Sequence, residues 1–485
     1  MTTPGLDPTS PYSRHVAARL ADFTNPKTPW SRRLWDVGTF LALEELHDVG
    51  VWLDRQVLSP AAVNWLKNSL EAQLVRDVAF GSPGARQQLT QCLRSELTIR
   101  SDGRRRLRHL IDAARSGYLN RWAERAALED PPGAERAARA AASHLLDSGH
   151  SLIGLRRWLA DRTGLSAAEL IGEAALLAAT EPSTFRIWVP IFGLPNIEKL
   201  ADPLPNFTRW ADLPEPIAAQ IRTNHPRVVV GALDYAIEAR DAERAVEVVV
   251  EVVERMRARA RFAGAAGLVA VAGEAYVETE DRFVDLRAPD RGAAIMSLVA
   301  EGQLLAVDPA KTYAAERHAI DDALELAAPI NAGALAPAIS GSWAALEALL
   351  TDAQDSDQQE GKVAAAVRAA ALAACSWPRA ELTALSYQVD RRGNAGLELS
   401  SRLGQVATNR DRAEIVADWL RTNGGMPLKR SWRHRSDVAA VSRMNGVLHQ
   451  PTETLRDVQG YIERSLRRLY RCRNVIVHGG STRGD

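Results

Sequence analysis

Hydrophobic positions in the first third of the chain recur with a helical period. Within residues 34–46, apolar side chains are spaced three and four residues apart, as burial of one helix face requires. The stretches 81–84 and 130–133 contain the Gly and Pro residues that are typical of turns between helices. The pattern predicts a loose, proline-containing tail over residues 1–13 and an N-terminal helical domain over residues 14–180.

The pattern changes in the middle third, where short runs of β-branched and aromatic residues lie between Pro and Gly. These runs predict four strands, over residues 185–192, 227–230, 276–277 and 283–284. Residues 241–261 contain a valine run that favours a strand. Their length, the N-cap candidate Asp241, and an acidic start with a basic end favour a helix instead. We therefore expect a small α/β domain over residues 181–300.

The helical period returns near residue 311 and continues to the end of the chain. It predicts an all-α C-terminal domain over residues 311–485, and the acidic stretch 352–360 is predicted as a loop. The expected fold is therefore mainly α, with a small α/β domain in the middle. The predicted C-terminal helices cover residues 311–328, 342–351, 362–375, 379–389, 410–422 and 453–478.

Composition excludes several classes of protein. Hydrophobic residues make up 46% and charged residues 25% of the 485 residues, which excludes a mainly disordered or collagen-like chain. The three cysteines are too few and too scattered for a disulfide framework, so we expect a reducing, cytoplasmic environment. Because no apolar run reaches the roughly 18–20 residues that span a bilayer, we expect no membrane segment.

Positive charge is concentrated at the C-terminal end, although the whole chain has no net charge. Residues 429–485 contain twelve Lys and Arg against five Asp and Glu, a local balance of +7. One interpretation is that this end contacts the phosphate backbone of RNA. The other is that its arginines pair with acidic residues of the other domains. The predicted RNA-binding residues, here called the arginine face, are Arg464, Arg467, Arg468 and Arg471.

Common motifs for metal, nucleotide and serine-hydrolase chemistry are absent. The sequence has no phosphate-binding glycine loop, no His-x-x-x-His or Cys-x-x-Cys pair and no Gly-x-Ser-x-Gly. We therefore expect no metal and no cofactor.

One group of residues near the C-terminal end suits cleavage of RNA by its own 2′-hydroxyl. Histidine titrates near neutral pH, so His478 could move the proton of that hydroxyl. Arg473 is a permanent cation that could stabilise the negative charge of the phosphorane. The two residues are five positions apart, about 140° around an ideal helix. They are expected to converge on one phosphate only if the helix breaks near residues 479–480 or a second subunit completes the site, which motivates a homodimer hypothesis.

The same spacing of Arg and His occurs twice more, at Arg104/His109 and Arg139/His144. Neither pair has the Asn that follows Arg473, the apolar filler or the trailing Gly-Gly. We interpret both pairs as chance occurrences of a short motif. His109 and His144 are accordingly expected to be ordinary surface or boundary histidines.

The longer context of the last motif resembles a known family. Arg-Asn-Val-Ile-Val-His-Gly-Gly over residues 473–480, after a basic amphipathic helix, is similar to the signature of the HEPN superfamily, the all-α domain of many prokaryotic toxin and defence ribonucleases. Residues 343–350, with the polar loop and the Gly-Lys-Val at 361–363, resemble an early helix of the Apea-like HEPN branch. The similarity covers about residues 315–485. HEPN domains usually have a further helix after the histidine, whereas seven residues follow His478, so either the chain is truncated or this helix is missing.

The resemblance implies a HEPN-like helical bundle with specific residue roles. Arg473 and His478 would be catalytic, and Asn474 would support them. Glu347 could lie close to the site, or it could be an acid on the surface of its helix. Tyr470 could support the site, or it could pack against a neighbouring helix. The family also typically forms dimers, here through the C-terminal domain.

Two functions follow from these expectations. The first is a metal-independent endoribonuclease, an anti-phage defence or toxin effector, whose other domains recognise a phage-derived trigger or restrain the nuclease. The second is a non-catalytic RNA- or protein-binding HEPN-like scaffold whose basic C-terminal helix docks a partner. A weaker option is a regulator that binds a small ligand in the middle domain.

Overall fold

Helices dominate the fold, and one small antiparallel sheet lies in the middle of the chain. The computed structural model describes residues 3–34, 36–194, 206–225, 227–286, 319–331, 334–352, 355, 363–431 and 433–480. The prediction of a mainly-α fold with a small α/β part is confirmed. Within these residues, no helix has both the length and the apolar character needed to cross a bilayer.

The N-terminal helices begin where the sequence supplies capping residues. Ser59, Ser82 and Ser101 each accept a hydrogen bond from a backbone N–H in the first turn of the following helix. One hydrophobic core is shared by the whole group of helices. They are α1 (Pro11–Thr24), α2 (Thr39–Asp54), α3 (Pro60–Arg76), α4 (Pro83–Leu93), α5 (Asp102–Arg115), α6 (Tyr118–Ala126), α7 (Ala134–Asp147), α8 (Leu152–Ala160) and α9 (Ala167–Ala179).

The expected loose tail over residues 1–13 is wrong for the part that the structure describes. The backbone N–H of Ala168 donates to the carbonyl oxygen of Gly5 at 3.0 Å. Ser10 caps α1, which begins at Pro11. Proline at the first position of a helix loses no hydrogen bond, because that N–H has no partner within the helix. The prolines therefore mark a packed turn and a helix start rather than disorder.

The middle sheet is antiparallel, with strand order β2-β3-β1-β5-β6 and β4 paired to β1. The predicted strands at residues 276–277 and 283–284 are confirmed within β5 and β6, and the one at residues 185–192 within β1. The elements of this part are β1 (Ser183–Gly193), β2 (Phe207–Arg209), α10 (Glu215–Asn224), β3 (Gly231–Ala239), α11 (Ala242–Phe262), β4 (Ala270–Val271), β5 (Glu274–Val277) and β6 (Arg282–Asp285).

The strand predicted over residues 227–230 is wrong, because the strand at this place, β3, begins only at Gly231. Val229 is buried in a cluster with Ile217 and Ile221 of α10. The valines therefore reflect hydrophobic burial of a connecting segment, which a short apolar run cannot distinguish from a strand.

The ambiguous valine segment after Asp241 is a helix, as predicted from its ends. Val246, Val249 and Val253 lie on one face of α11 and pack against the sheet. Asp241 accepts a hydrogen bond from the backbone N–H of Arg244 at 2.8 Å. The helical spacing of the buried valines, together with the cap, outweighs the local strand preference of valine.

Asp241→Ala is expected to lower the free energy of unfolding by about 1–2 kcal/mol, because Asp241 caps α11 and also accepts from the backbone N–H of Ser151 at 2.9 Å. Burial alone would raise the pKa of Asp241, but hydrogen bonds from His150 and Ser151 hold it below its ordinary value. The stabilisation is therefore present above the unfolded pKa of about 3.9 and lost as pH falls through the folded pKa. Denaturant unfolding at several pH values measures the effect.

Glu251→Ala on the same helix is the matched control. Glu251 is exposed and its ion pair with Arg255 at 3.5 Å lies in solvent, so no measurable change is expected. Equal losses in the two variants would contradict the assigned role of Asp241.

The C-terminal part is all-α within the described residues. The predicted helix over 311–328 is described only from residue 319 onward, and most of the predicted loop 352–360 lies outside the described residues. Two helices were not predicted, α15 and α17. The elements are α12 (Ala319–Ala327), α13 (Leu335–Leu350), α14 (Ala364–Ser386), α15 (Gly393–Gly404), α16 (Asn409–Asn423), α17 (His434–His449) and α18 (Pro451–Gly479).

Helix α14 is continuous, although two separate helices were predicted over residues 362–375 and 379–389. Pro378 lies inside it. A proline in a helix interior costs about 3 kcal/mol locally. Trp377 is buried and donates its indole N–H to the carbonyl oxygen of Ser31 at 2.7 Å. Burial of the residues around Pro378 therefore maintains the helix across it.

Candidate active site

The C-terminal helix α18 is positioned by an apolar face near its middle. Tyr470 packs against Trp343 of α13, with ring centroids 5.0 Å apart, and Trp343 is fully buried. Leu466 and Leu469 belong to the same hydrophobic cluster. Tyr470 therefore packs against a neighbouring helix, one of the two roles considered for it. It lies one turn before Asn474 and helps to fix the helix that carries Arg473 and His478.

Arg473 and His478 meet at the exposed end of α18. The guanidinium nitrogen Nη1 of Arg473 lies 3.1 Å from His478 Nε2 and also donates to Asn474 Oδ1 at 3.1 Å. Asn474 is buried, Arg473 is half-buried and His478 is exposed. Because a guanidinium only donates, His478 Nε2 must be the acceptor, which requires a neutral imidazole with its proton on Nδ1. The imidazole lone pair and a permanent cation thus lie side by side, open to solvent.

A single chain brings these two side chains together, which corrects the geometric expectation from the sequence. Helix α18 runs unbroken to Gly479, and Gly480 follows in the left-handed conformation at φ 65°. The long arginine side chain reaches around the helix to the histidine. Neither a helix break before the histidine nor a second subunit is needed for the contact. The homodimer hypothesis therefore loses its geometric basis and rests on the family resemblance alone.

The end of α18 lies against α2, a contact that sequence reasoning missed. A Cβ at Gly479 would lie 2.7 Å from the ring of Trp52, so only glycine allows this close approach. Arg55, which is exposed, lies over the same ring at 5.5 Å from its centroid. A second guanidinium therefore lies over the ring that Gly479 approaches. The Gly-Gly after the histidine was the available signal, because glycine often marks a close approach of two backbones or rings.

The arginine face is occupied by ion pairs with the N-terminal helical domain. Arg464 binds Asp36 with two hydrogen bonds of 2.7 Å. Arg471 donates to both carboxylate oxygens of Glu45, and Arg468 Nε lies 3.7 Å from the same carboxylate. These contacts fix α18 to the helices that precede it.

The last member of the arginine face, Arg467, pairs along its own helix with Glu463 at 2.7 Å and stacks over Trp65 at 4.4 Å. Both Arg467 and Arg471 are buried, at 7% and 4% exposed. The predicted RNA-binding role of the arginine face therefore stays a prediction, and ion pairs and burial leave these side chains less available to a phosphate than the sequence suggests. The alternative, pairing with acidic residues of another domain, is correct for Arg464, Arg468 and Arg471. The physical reason is that partly buried carboxylates, distant in the sequence, pair with cations that the sequence alone shows as unpaired.

The structure gives Glu347 no polar contact with the candidate site. Its helix α13 contacts α18 through Trp343 and Tyr470. Glu347 is partly exposed, and no hydrogen bond or ion pair joins its carboxylate to Arg473 or His478. This observation favours the surface-acid interpretation of Glu347.

The two other histidines with the Arg spacing differ from each other. His109 is exposed on α5, as expected for a surface residue. His144 on α7 is 7% exposed, so its description as a surface or boundary residue is wrong. Burial, followed by the charges of Arg115 and Arg121, lowers the pKa of His144 to about 4. His144 is therefore neutral at pH 7 and lies in a cavity considered further below.

Metal and cofactor ligands were also sought among the described residues, and no cluster of three or more His, Cys, Asp or Glu side chains suited to a metal ion occurs there. Comparison of this chain with models of protein families, with curated proteins and with solved structures found no match.

Proposed function

We propose that this protein is an endoribonuclease that cleaves RNA without a metal ion, with Arg473 and His478 as its catalytic residues. The observation that supports this most is the 3.1 Å contact between Arg473 Nη1 and His478 Nε2 at an exposed helix end. The contact places a proton acceptor and a permanent cation close enough together to act on one phosphodiester.

In the proposed reaction, His478 Nε2 takes the proton of the ribose 2′-hydroxyl. The 2′-oxygen then forms a bond to phosphorus, and the bond from phosphorus to the 5′-oxygen breaks. Arg473 turns from His478 to the phosphate and stabilises its additional negative charge. Asn474, which is buried and accepts from Arg473, keeps the guanidinium at this end of the helix as it turns. The 5′-oxygen takes a proton from the imidazolium or from water, leaving a 2′,3′-cyclic phosphate and a 5′-hydroxyl.

The resemblance of residues 315–485 to the HEPN superfamily supports the same proposal. On that resemblance we also propose action in the cytoplasm, a role in anti-phage defence or as a toxin, activation by a phage-derived trigger, and a homodimer through the C-terminal domain. The alternative of a non-catalytic scaffold that docks RNA on its basic helix receives less support, because the arginine face is taken up by carboxylates.

Cleavage in excess EDTA and the chemistry of the new ends test the reaction. The full-length protein is produced in a bacterial host, and the total RNA is examined for cut sites. The purified protein is then incubated with that RNA in EDTA. We expect cutting to persist in EDTA and to leave 2′,3′-cyclic phosphate ends. Cutting that EDTA abolishes and Mg²⁺ restores, or cut products with 3′-hydroxyl ends, would contradict the proposal.

A further inference from the structure

A cavity of about 600 Å³ lies between the N-terminal helices and the C-terminal helix α18. Its walls come from α2, α3, α6 and α7 on one side and from the first half of α18 on the other. Its size falls within the range of about 300–1,000 Å³ that small-molecule sites occupy. It is separate from the Arg473–His478 pair, neither member of which lines it.

The inner wall of the cavity combines flat rings with a fixed polar group. Phe40, Tyr118 and His144 pack on one another, with ring centroids 4.9–5.3 Å apart. The Tyr118 hydroxyl donates to Asp77 at 2.7 Å, and the Thr39 hydroxyl donates to the same carboxylate at 3.2 Å. Such a wall gives a planar ring an apolar surface to pack against, beside polar groups that hydrogen bonds hold in place.

Two polar groups in this wall can form hydrogen bonds in addition to those that the structure shows. His144 Nδ1 is fully enclosed and has no hydrogen-bond partner, although the residue is 93% buried. An unpaired buried polar atom costs roughly 1–3 kcal/mol, and a ligand atom that reached His144 Nδ1 would remove that cost. Asp147 faces the same cavity, beside Gly38 at the start of α2. Burial raises the pKa of Asp147 to about 7, so its carboxyl can either donate or accept near neutral pH.

The rim of the cavity presents cations without carboxylate partners. Arg136 and Arg456 line it and are exposed, and neither forms an ion pair with a described residue. Arg136 donates only to the backbone carbonyl of Arg76. The third rim arginine, Arg76, is paired with Asp457 at 2.8 Å. The outer end of the cavity is thus suited to an anion, and the inner end to a flat polar ring.

We propose that this cavity binds a nucleoside phosphate, with the base against Phe40 and His144 and the phosphate at Arg136 and Arg456. A purine or pyrimidine presents both donors and acceptors at the edge of an aromatic ring, which matches His144 Nδ1 and the Asp147 carboxyl. Phosphate matches the exposed guanidiniums of Arg136 and Arg456, which line the same cavity. The bound molecule would join the N-terminal helices to α18. This inference does not depend on the proposed ribonuclease activity.

Thermal unfolding and calorimetric titration of the full-length protein test the site. The ligands are ATP, GTP, CTP and UTP, their monophosphates, the free nucleosides and inorganic phosphate. We expect at least one nucleotide to raise the midpoint of unfolding by a few degrees at about 100 times its Kd. The corresponding nucleoside is expected to bind at least about tenfold more weakly, because two charge-assisted contacts are absent.

Two variants locate the binding. Ala140→Trp fills the cavity from α7 and is expected to abolish the rise in the midpoint of unfolding that the nucleotide causes. Arg136 and Arg456 are exposed, so the double variant Arg136→Ala/Arg456→Ala is expected to fold as the wild type does. It is expected to weaken nucleotide binding at least about tenfold and to leave nucleoside binding unchanged. Arg125→Ala, an exposed arginine on α6 outside the cavity, is the matched control. No shift with any nucleotide, unchanged affinity in the double variant, or equal binding of nucleoside and nucleotide would overturn the proposal.

Discussion

Replacing His478 with alanine is expected to lower RNA cleavage by about 10²–10⁴-fold, the usual contribution of a general base. The side chain is exposed, and its one hydrogen bond among the described residues is the contact with Arg473. The midpoint of thermal unfolding is therefore expected to stay the same. Growth of the expressing host, together with the rate of RNA cutting by the purified protein, measures the effect.

The variant Arg473→Lys tests whether cleavage needs only a positive charge at residue 473 or also the planar shape of the guanidinium. Lysine retains the positive charge, but it lacks the planar fork that contacts Asn474 and His478 together. We expect a large loss of cleavage in Arg473→Lys and a greater one in Arg473→Ala. A simple charge requirement would instead leave the lysine variant active.

His109→Ala is the matched control for these variants. His109 is also exposed on a helix and also lies five residues after an arginine, but its motif lacks the context of the C-terminal one. We expect full activity in this variant. Undiminished cutting and toxicity in a folded His478→Ala protein would refute the catalytic role of the imidazole.

The sequence was informative where local pattern decides the outcome. The ends of α11 were predicted from a cap and a charge gradient, and the valines on its buried face fit a helical period. Arg473 and His478 were chosen from residue chemistry and local context. Their direct contact was not foreseen, because ideal helix angles describe the Cα positions and neglect the reach of a long side chain.

What the sequence could not supply depends on residues far away in the chain. The partners of the arginine face, Asp36 and Glu45, precede it by more than 400 positions. Distant residues also decide the outcome at Pro378, whose helix is maintained by tertiary burial. They decide it at His144 as well, because burial and the charges of Arg115 and Arg121 lower its pKa to about 4. Each of these outcomes is decided by packing that no local pattern encodes.

The second large effect is expected at Glu381, at the centre of a buried ion network between the two helical parts. Glu381 is 0% exposed and accepts hydrogen bonds from Ser31, Arg32 and Arg443. Arg32 also donates to Asp437 at 2.8 Å. Burial alone would raise the pKa of Glu381, but the charges of Arg443 and Arg32 hold it below its ordinary value. One buried carboxylate thus pairs with two guanidiniums from different parts of the chain, and Asp437 supplies a second negative charge to Arg32.

Glu381→Ala is expected to lower the free energy of unfolding by about 3–5 kcal/mol, because it leaves Arg32 and Arg443 buried with less negative charge. Glu381→Gln, which has nearly the same shape, is expected to show most of this loss. Glu414→Ala is the control, since Glu414 and its partner Arg410 are 63% and 78% exposed, and no measurable change is expected there. The midpoints of thermal and denaturant unfolding measure all three variants.

The pH dependence distinguishes loss of charge from loss of packing. Because the folded pKa of Glu381 is lowered, its stabilisation is present above the unfolded pKa of about 4.3 and lost as pH falls through the folded value. The gap between wild type and Glu381→Gln is therefore expected to be full at pH 7 and to narrow on acidification. A gap that is small at pH 7, or one that is independent of pH, would contradict the assigned role of the Glu381 charge in stabilising the contact between the N-terminal and C-terminal helices.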